Sequence, residues 1–198
     1  MLTHTAEDYE GTDTHKFIDR LINSKRGPLL IITPFISPFY AKMLLNESKK
    51  KKVYLIISAS EINKGAEKLL KGKRVGRHAK ALAYLFILAA AMFYLHIFEF
   101  AMVAAVAFAV VLVLMLLNLA KKSGVQLKVV GSPFIHEKLY IAEKEAITGS
   151  ANLTYGGTHK NLEHIEIIHD EAEVRRLEEH FWKVWGNAKL AYGRGVAF

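Results

Sequence analysis

The chain has 198 residues, of which 52% are hydrophobic, a formal net charge of +8 and no cysteine. Without cysteine it can form no disulfide, no thiolate metal site and no cysteine nucleophile. The basic charge favours anionic partners, either nucleic acid or acidic lipid head groups, and does not choose between them. Residues 1–11 are polar and acidic and lack the apolar core of a signal peptide, so we expect no cleaved secretion signal.

The first third of the chain predicts alternating helices and strands. Apolar residues that recur on one helical face or form short β-rich runs predict helices over 13–25, 38–48 and 61–71 and buried strands over 29–36 and 52–58. Gly27-Pro28 ends the first helix, and Pro34 should end or kink the first strand. This order predicts an α/β layered domain with parallel neighbouring strands.

The same pattern resumes after residue 124. Predicted strands cover 125–130, 136–142, 146–148 and 162–169, and the middle two form a hairpin through Glu143-Lys144-Glu145. By strand alternation, Glu163 faces the same side as Ile165 and Ile167. Asp170 with Glu173 matches a capping box that opens a last helix, whose apolar face contains Val174, Leu177, Phe181 and Val184.

An apolar insert separates these two parts. Between residues 81 and 120 the only strongly polar residues are His96, Glu99 and Asn118. A bilayer core takes about 20 helical residues, so this length fits two spans, over 81–96 and 99–120. Basic residues on both flanks favour the cytoplasmic side. The alternatives are one long helix packing in an oligomer, or an apolar hairpin buried in protein.

These observations predict a three-part chain. Residues 1–78 and 122–198 form the two parts of one catalytic domain, and residues 79–121 form a transmembrane hairpin. We therefore expect a cell-membrane protein with two spans, with its catalytic domain and both termini in the cytoplasm. Basic residues before the hairpin could also hold anionic lipid.

The chemically informative residues lie on the predicted hairpin. In His136-Glu137-Lys138 the imidazole and the ammonium point to the same side of an extended chain. Gly149-Ser150-Ala151-Asn152 would bring a hydroxyl and an amide beside them. A nucleophile or base, a fixed cation and two hydrogen-bond donors suit a phosphodiester substrate.

The pattern His-x-Lys followed by Gly-Ser-x-Asn resembles the phospholipase D superfamily. Asn161-x-Glu163 is similar to a downstream motif of its nuclease-like branch, and the strands before the insert resemble the first half of that fold. The resemblance implies an α/β fold with a phospholipase D-like layered sheet flanked by helices, here interrupted by the two-helix hairpin. One motif per chain implies a homodimer with one active site on the twofold axis.

The resemblance also implies roles for the site residues. His136 attacks phosphorus to give a phosphohistidine, and the partner subunit's His136 acts as the acid and then as the base. Lys138 and Asn152 hold phosphoryl oxygens, and Ser150 completes the hydrogen bonding. Glu163 orients the imidazole. Glu143 stands where the family has an aspartate that supports the site. No metal or cofactor is implied.

The resulting prediction is a membrane-anchored phosphodiesterase that acts as a metal-independent endonuclease. Nucleic acid is the expected substrate, because the chain is basic and small one-motif members resemble nucleases. One alternative is a phospholipid phosphodiesterase, which hydrolyses lipid or transfers its head group. Another is a catalytically weak member that binds nucleic acid or lipid.

Overall fold

A computed structural model describes residues 6–24, 27–71 and 125–187, together with the single residues Tyr84, Ile87 and Leu112. The chain divides into two compact units. One comprises Met1–Lys71 and Ser123–Phe198, and the other comprises Gly72–Lys122. The predicted domain limits, 1–78, 79–121 and 122–198, stay a prediction.

The first unit contains seven strands and five helices among its described residues. The strands are β1 (Ala6–Gly11), β2 (Leu29–Ile32), β3 (Val53–Ser58), β4 (Val125–Val130), β5 (Leu139–Ala142), β6 (Glu145–Gly149) and β7 (Glu163–Ile168). The helices are α1 (His15–Ile22), α2 (Pro38–Glu47), α3 (Lys64–Lys71), α4 (Tyr155–His159) and α5 (Glu171–Asn187), and a short 3-10 turn, Glu61–Asn63, precedes α3.

The strands form one sheet in the order β1-β7-β6-β5-β2-β3-β4. Strand β3 pairs in parallel with β2 on one side and with β4 on the other. The remaining neighbouring pairs are antiparallel. The prediction of an α/β layered domain is therefore confirmed. Parallel pairing holds only for the part of the sheet built from β2, β3 and β4.

Strand β2 shows how the sheet is held between two layers of helices. Its four residues are all buried. Leu29 and Ile31 join a cluster with side chains of α1, α2 and α3, whereas Leu30 and Ile32 join a cluster with Val174 and Phe181 of α5. Because side chains alternate along a strand, a continuous apolar run is what a strand covered on both faces requires.

Three local predictions differ from the structure. The strand predicted over 29–36 ends at Ile32, before Pro34, and the hairpin strand predicted from residue 136 begins at Leu139. Strand β1 is not predicted by the sequence because it is an edge strand. Its sequence is mostly polar and exposed, and it pairs only with β7. Charged edge strands lack the apolar alternation on which strand prediction depends.

The start of α5 agrees with the capping prediction. The Glu173 backbone N–H donates to the Asp170 carboxylate over 2.8 Å. The Glu173 side chain also accepts from the Arg176 guanidinium over 2.9 Å. Trp182 and Trp185 lie edge-on to the Tyr54 ring, at centroid distances of 4.9 and 5.4 Å, which fits the packing role of this end of the helix.

The expected location in the cell membrane is corrected by the structure. In the described ranges no helix is long and apolar enough to cross a bilayer. The longest of them, α5, has 17 residues and is apolar on one face only, whereas a span takes about 20 predominantly apolar residues. By this finding, the prediction of a cell-membrane protein with two spans is wrong. The segments 81–96 and 99–120 lie outside the described residues, apart from the three single positions.

Candidate active site

The predicted motif residues meet where β5 begins and β6 ends. Antiparallel pairing places Leu139 opposite Thr148 and, on the other side, opposite Ile32. An open cavity of about 530 Å³ lies at this end of the hairpin. It is lined by His136, Glu137, Lys138, Thr148, Gly149, Ser150 and His164.

His136 and Lys138 form the centre of this site. They lie just before β5 rather than in it, and the Lys138 side chain turns back on the segment. Its Nζ donates to the His136 carbonyl over 2.8 Å and lies 3.2 Å from each ring nitrogen of His136. The imidazole is exposed to solvent, whereas Lys138 is only 6% exposed. A fixed cation is therefore held against an accessible imidazole.

The charge of Lys138 is controlled by its surroundings. Burial lowers the pKa of its ammonium below the usual value of 10.5, because desolvation disfavours the charged form. The negative charge of Glu163 acts in the opposite direction and raises that pKa. The Glu163 carboxylate therefore partly offsets the effect of burial on the pKa of Lys138.

Gly149 is required by the close approach of β6 and β7. Its φ of +142° is one that other residues rarely adopt. A Cβ at this position would lie 2.2 Å from the His164 carbonyl oxygen and 2.8 Å from the Ile165 Cα. The missing side chain allows the Ser150 N–H to donate to the His164 carbonyl over 2.9 Å. The first residue of the Gly-Ser-x-Asn motif is therefore a glycine for a steric reason.

Ser150 and Glu163 are joined by hydrogen bonds. The Ser150 hydroxyl donates to the Glu163 carboxylate and accepts from the His164 N–H over 3.1 Å. The other carboxylate oxygen accepts from the Asn161 amide over 3.2 Å. Glu163, which is 8% exposed, therefore contacts Ser150 and Asn161 and acts on Lys138 electrostatically. The sequence predicts that Glu163 orients the imidazole. The structure gives it these other partners.

Asn152 lies in a segment fixed to the sheet but does not line the cavity. The Tyr140 hydroxyl donates to the Ala151 carbonyl over 2.7 Å, and the Leu153 N–H donates to the Thr33 hydroxyl over 3.2 Å. The Asn152 Oδ1 is buried and has no hydrogen-bond partner among the described residues. An amide oxygen in this state is available to a donor on a bound molecule.

Glu143 is not brought together with the other predicted site residues. It lies at the β5–β6 turn, with a φ of +57°, at the end of the hairpin remote from Lys138. A four-residue strand, about 13 Å long, separates the two. Its charge acts on Lys51 instead. The structure therefore places Glu143 as a turn residue outside the cavity.

Sequence reasoning misses three cavity residues, namely Glu137, Thr148 and His164. His164 is not among the predicted site residues, but it lines the cavity and its Nε2 lies 3.2 Å from Asp8 of β1. Glu137 contacts the His180 ring over 3.0 Å. The position of His164 depends on the pairing of β7 with β6 and with the unpredicted β1. No group of three or more potential ligands in the described ranges could hold a metal ion.

Comparison with protein families matches residues 18–185 to the family described as "Cardiolipin synthase, PLD-like domain". Among proteins of curated function, none matches this chain.

Three solved structures have a similar fold. Nuc, a phospholipase D family member from Salmonella typhimurium, has a TM-score of 0.59 and 15% identity, covering 95% of this chain and 99% of Nuc. NucT from Helicobacter pylori has a TM-score of 0.55 and 14% identity, with coverage of 94% and 98%. Phosphatidylserine synthase from Haemophilus influenzae Rd KW20 has a TM-score of 0.53 and 15% identity, covering 93% of this chain and 39% of the synthase.

The structural likeness, at these identities, concerns the fold. The family match is independent of it and spans both sides of the insert, from α1 to the last turns of α5. It includes every residue of the cavity described above. The chain therefore belongs to the phospholipase D-like domain family.

Proposed function

We propose that this protein is a metal-independent endonuclease that cleaves phosphodiesters through a phosphohistidine in a homodimeric active site. The observation that carries the proposal is the Lys138 ammonium, held 3.2 Å from the ring nitrogens of an exposed His136 in an open cavity. An accessible imidazole is a nucleophile, and an adjacent buried cation attracts the phosphate that it attacks.

The reaction has two displacements. In the first, a ring nitrogen of His136 forms a bond to phosphorus while the bond from phosphorus to the leaving oxygen breaks. The partner subunit's His136 gives its proton to that oxygen. In the second, the same partner histidine takes a proton from water, and the hydroxide attacks phosphorus as the phosphorus–nitrogen bond breaks. The products are an alcohol and a phosphate monoester, and both histidines return to their initial protonation states.

The charged groups around the cavity stabilise both steps. Lys138 neutralises the negative charge that shifts among the phosphoryl oxygens. Glu163 raises the pKa of that ammonium and so favours its charged form. The Ser150 hydroxyl, fixed by Glu163 and the β7 backbone, lines the same cavity. Asn152, two residues after Ser150, donates from its side-chain amide nitrogen to a phosphoryl oxygen. The need for a second histidine as the acid supports a dimer, because each chain supplies one such motif.

Two features support nucleic acid as the substrate. The formal net charge of +8 favours a polyanion. The folds of Nuc and NucT are covered almost completely in both directions, which favours the nuclease-like branch that the motifs resemble.

Phospholipid is the second candidate. It is favoured by the description of the matching family as a cardiolipin synthase domain and by the similar fold of a phosphatidylserine synthase. Both names refer to the synthesis of a phospholipid. The cavity is open, so its volume does not exclude either class of substrate.

The test is cleavage of labelled single-stranded DNA and RNA in EDTA by the wild-type protein and the His136→Ala variant. We expect cleavage by the wild type and a loss of about three orders of magnitude or more in the variant. His169→Ala is the matched control. It removes another exposed histidine, which lies outside the cavity and 3.6 Å from Glu145, so it should retain activity. Circular dichroism verifies that both variants fold.

The alternatives give different results in the same assay series. Release of a head group from phospholipid vesicles, with no cleavage of nucleic acid and with the same dependence on His136, would replace the proposal by lipid hydrolysis. Salt-sensitive binding of nucleic acid without turnover would identify a binding member. A cleavage that EDTA abolishes would contradict the metal-independent mechanism.

A further inference from the structure

A group of stacked rings lies beside the Gly-Ser-x-Asn segment and takes no part in the mechanism above. The His15 and His159 rings stack with centroids 4.1 Å apart and planes 7° apart. The Tyr155 ring stacks with His159 at 4.3 Å and 13°. Phe39 meets Tyr155 edge-on at 6.1 Å. We refer to Phe39, Tyr155, His159 and Lys160 as the stacking surface.

The outer rings of this surface are exposed to solvent. Phe39 is 47% exposed and Tyr155 is 49% exposed. Neither ring is enclosed by the core, unlike those of Tyr40 and Tyr140. The stacked series therefore ends in rings that can accept a further flat group.

The stack is held rigidly from below. Thr158 is fully buried; its hydroxyl contacts the His159 Nδ1 over 2.7 Å and lies 2.9 Å from the Tyr40 hydroxyl. Its carbonyl lies 3.2 Å from the His15 Nδ1. The orientation of both histidine rings is thus fixed before any ligand binds, which lowers the entropy lost on binding.

Positive charge accompanies the rings. The Lys160 ammonium lies 5.9 Å from the centre of the Tyr155 ring. Lys42 is exposed and lies three residues after Phe39 on α2, where side chains share a helix face. Of the nearby carboxylates, Asp13 pairs with Lys16, whereas Asp19 accepts from Tyr40 and its negative charge acts on His159. The surface combines open rings with cations.

The surface adjoins the proposed catalytic site along two chain segments. Tyr155 follows Asn152 by three residues, and Phe39 follows Ser37, whose N–H donates to the Leu153 carbonyl over 3.0 Å. A polyanion that runs from the cavity along the Gly-Ser-x-Asn segment therefore meets these rings and cations next.

We propose that the stacking surface binds unpaired bases of single-stranded nucleic acid next to the cleaved phosphodiester. This inference rests on the proposed nuclease function and assigns it a substrate form. Bases stack on aromatic rings whatever their identity, and the lysines contact the backbone. A base in a duplex has both faces covered by its neighbours, so the surface selects single strands.

A second copy of the chain fits this surface less well. A twofold contact through this surface would place it against the same surface of the other subunit. Lys42 and Lys160 would then lie near their copies in that subunit. Charged residues are depleted at the cores of protein interfaces, and Lys in particular. A polyanion satisfies these cations, whereas a copy of the same surface repels them.

The test measures binding of a fluorescent single-stranded DNA, about 20 nucleotides long, to full-length protein carrying His136→Ala, which prevents cleavage during the titration. Adding Tyr155→Ala should weaken binding about tenfold, and Tyr155→Phe should not. Ile62→Ala is the control, because it removes a side chain that is 62% exposed outside this surface. An oligonucleotide with abasic positions should bind the parent protein more weakly and should be indifferent to Tyr155→Ala.

The other outcomes separate the inference from the proposed function. If Tyr155→Ala binds as tightly as its parent while the wild type cleaves DNA or RNA, the inference is overturned and the nuclease proposal stands. If Tyr155→Ala converts a dimer into a monomer and leaves the DNA affinity unchanged, the surface is a subunit contact and the inference is overturned. If the His136→Ala protein does not bind the oligonucleotide and the wild type does not cleave nucleic acid, the inference and the proposed function both fail.

Discussion

The Gly149→Ala substitution tests the steric account of the site. The new Cβ would lie 2.2 Å from the His164 carbonyl oxygen, so β6 and β7 would have to separate locally. Strain at a φ of +142° costs about 1–3 kcal/mol for a residue other than glycine. The separation also weakens two hydrogen bonds between Ser150 and His164, each worth about 1 kcal/mol. The expected loss is about 3–5 kcal/mol.

This loss is a large part of the stability of a typical domain, which is about 5–15 kcal/mol. The assay is urea unfolding followed by circular dichroism. Gly156→Ala is the matched control, because a Cβ there meets nothing within 4 Å and the residue lies in helix α4. We expect it to be neutral or to stabilise by about 0.5–1 kcal/mol. Equal stabilities of the two variants would refute the reasoning.

Three further predictions concern the site and its support. Lys138→Arg should extend activity to higher pH. Because the pKa of Lys138 is lowered, the wild-type rate should fall before pH 10.5, whereas a guanidinium stays charged. A pH–rate profile with an unchanged alkaline limb would contradict this. Glu163→Gln should move that limb the other way, to lower pH, because it removes the charge that raises the pKa of Lys138. Tyr140→Phe should reduce the free energy of unfolding by about 1–3 kcal/mol, because the buried Ala151 carbonyl loses its hydrogen-bond donor. A loss below about 0.5 kcal/mol in urea titrations would show that this hydrogen bond is not needed.

The sequence predicts those parts of the fold that apolar periodicity determines. The run over 29–36 predicts β2 because a strand covered on both faces must be apolar throughout. Strand β1 has the opposite character: it is an edge strand, and only its pairing with β7 makes it regular. Its position brings Asp8 to His164, so this contact could not be foreseen.

The candidate site is predictable where its residues are close in sequence. His136 and Lys138 are two residues apart, and the hairpin brings Gly149 and Ser150 beside them through local pairing. The partners of Glu163 depend on the register of β6 with β7, which alternation alone does not specify. The family resemblance implies a supporting role for Glu143, but the β5–β6 turn places it at the far end of the strand.

The most direct test of the central claim is to look for the phosphorus–nitrogen bond on His136. Wild-type protein is mixed in EDTA with a single-stranded oligonucleotide labelled with radioactive phosphorus at its internal linkages, and is quenched in base within the first turnover. The account predicts label on the protein that is released by acid, maps to the peptide containing His136 and is absent from His136→Ala. Label on another residue, or full cleavage by His136→Ala, would contradict it.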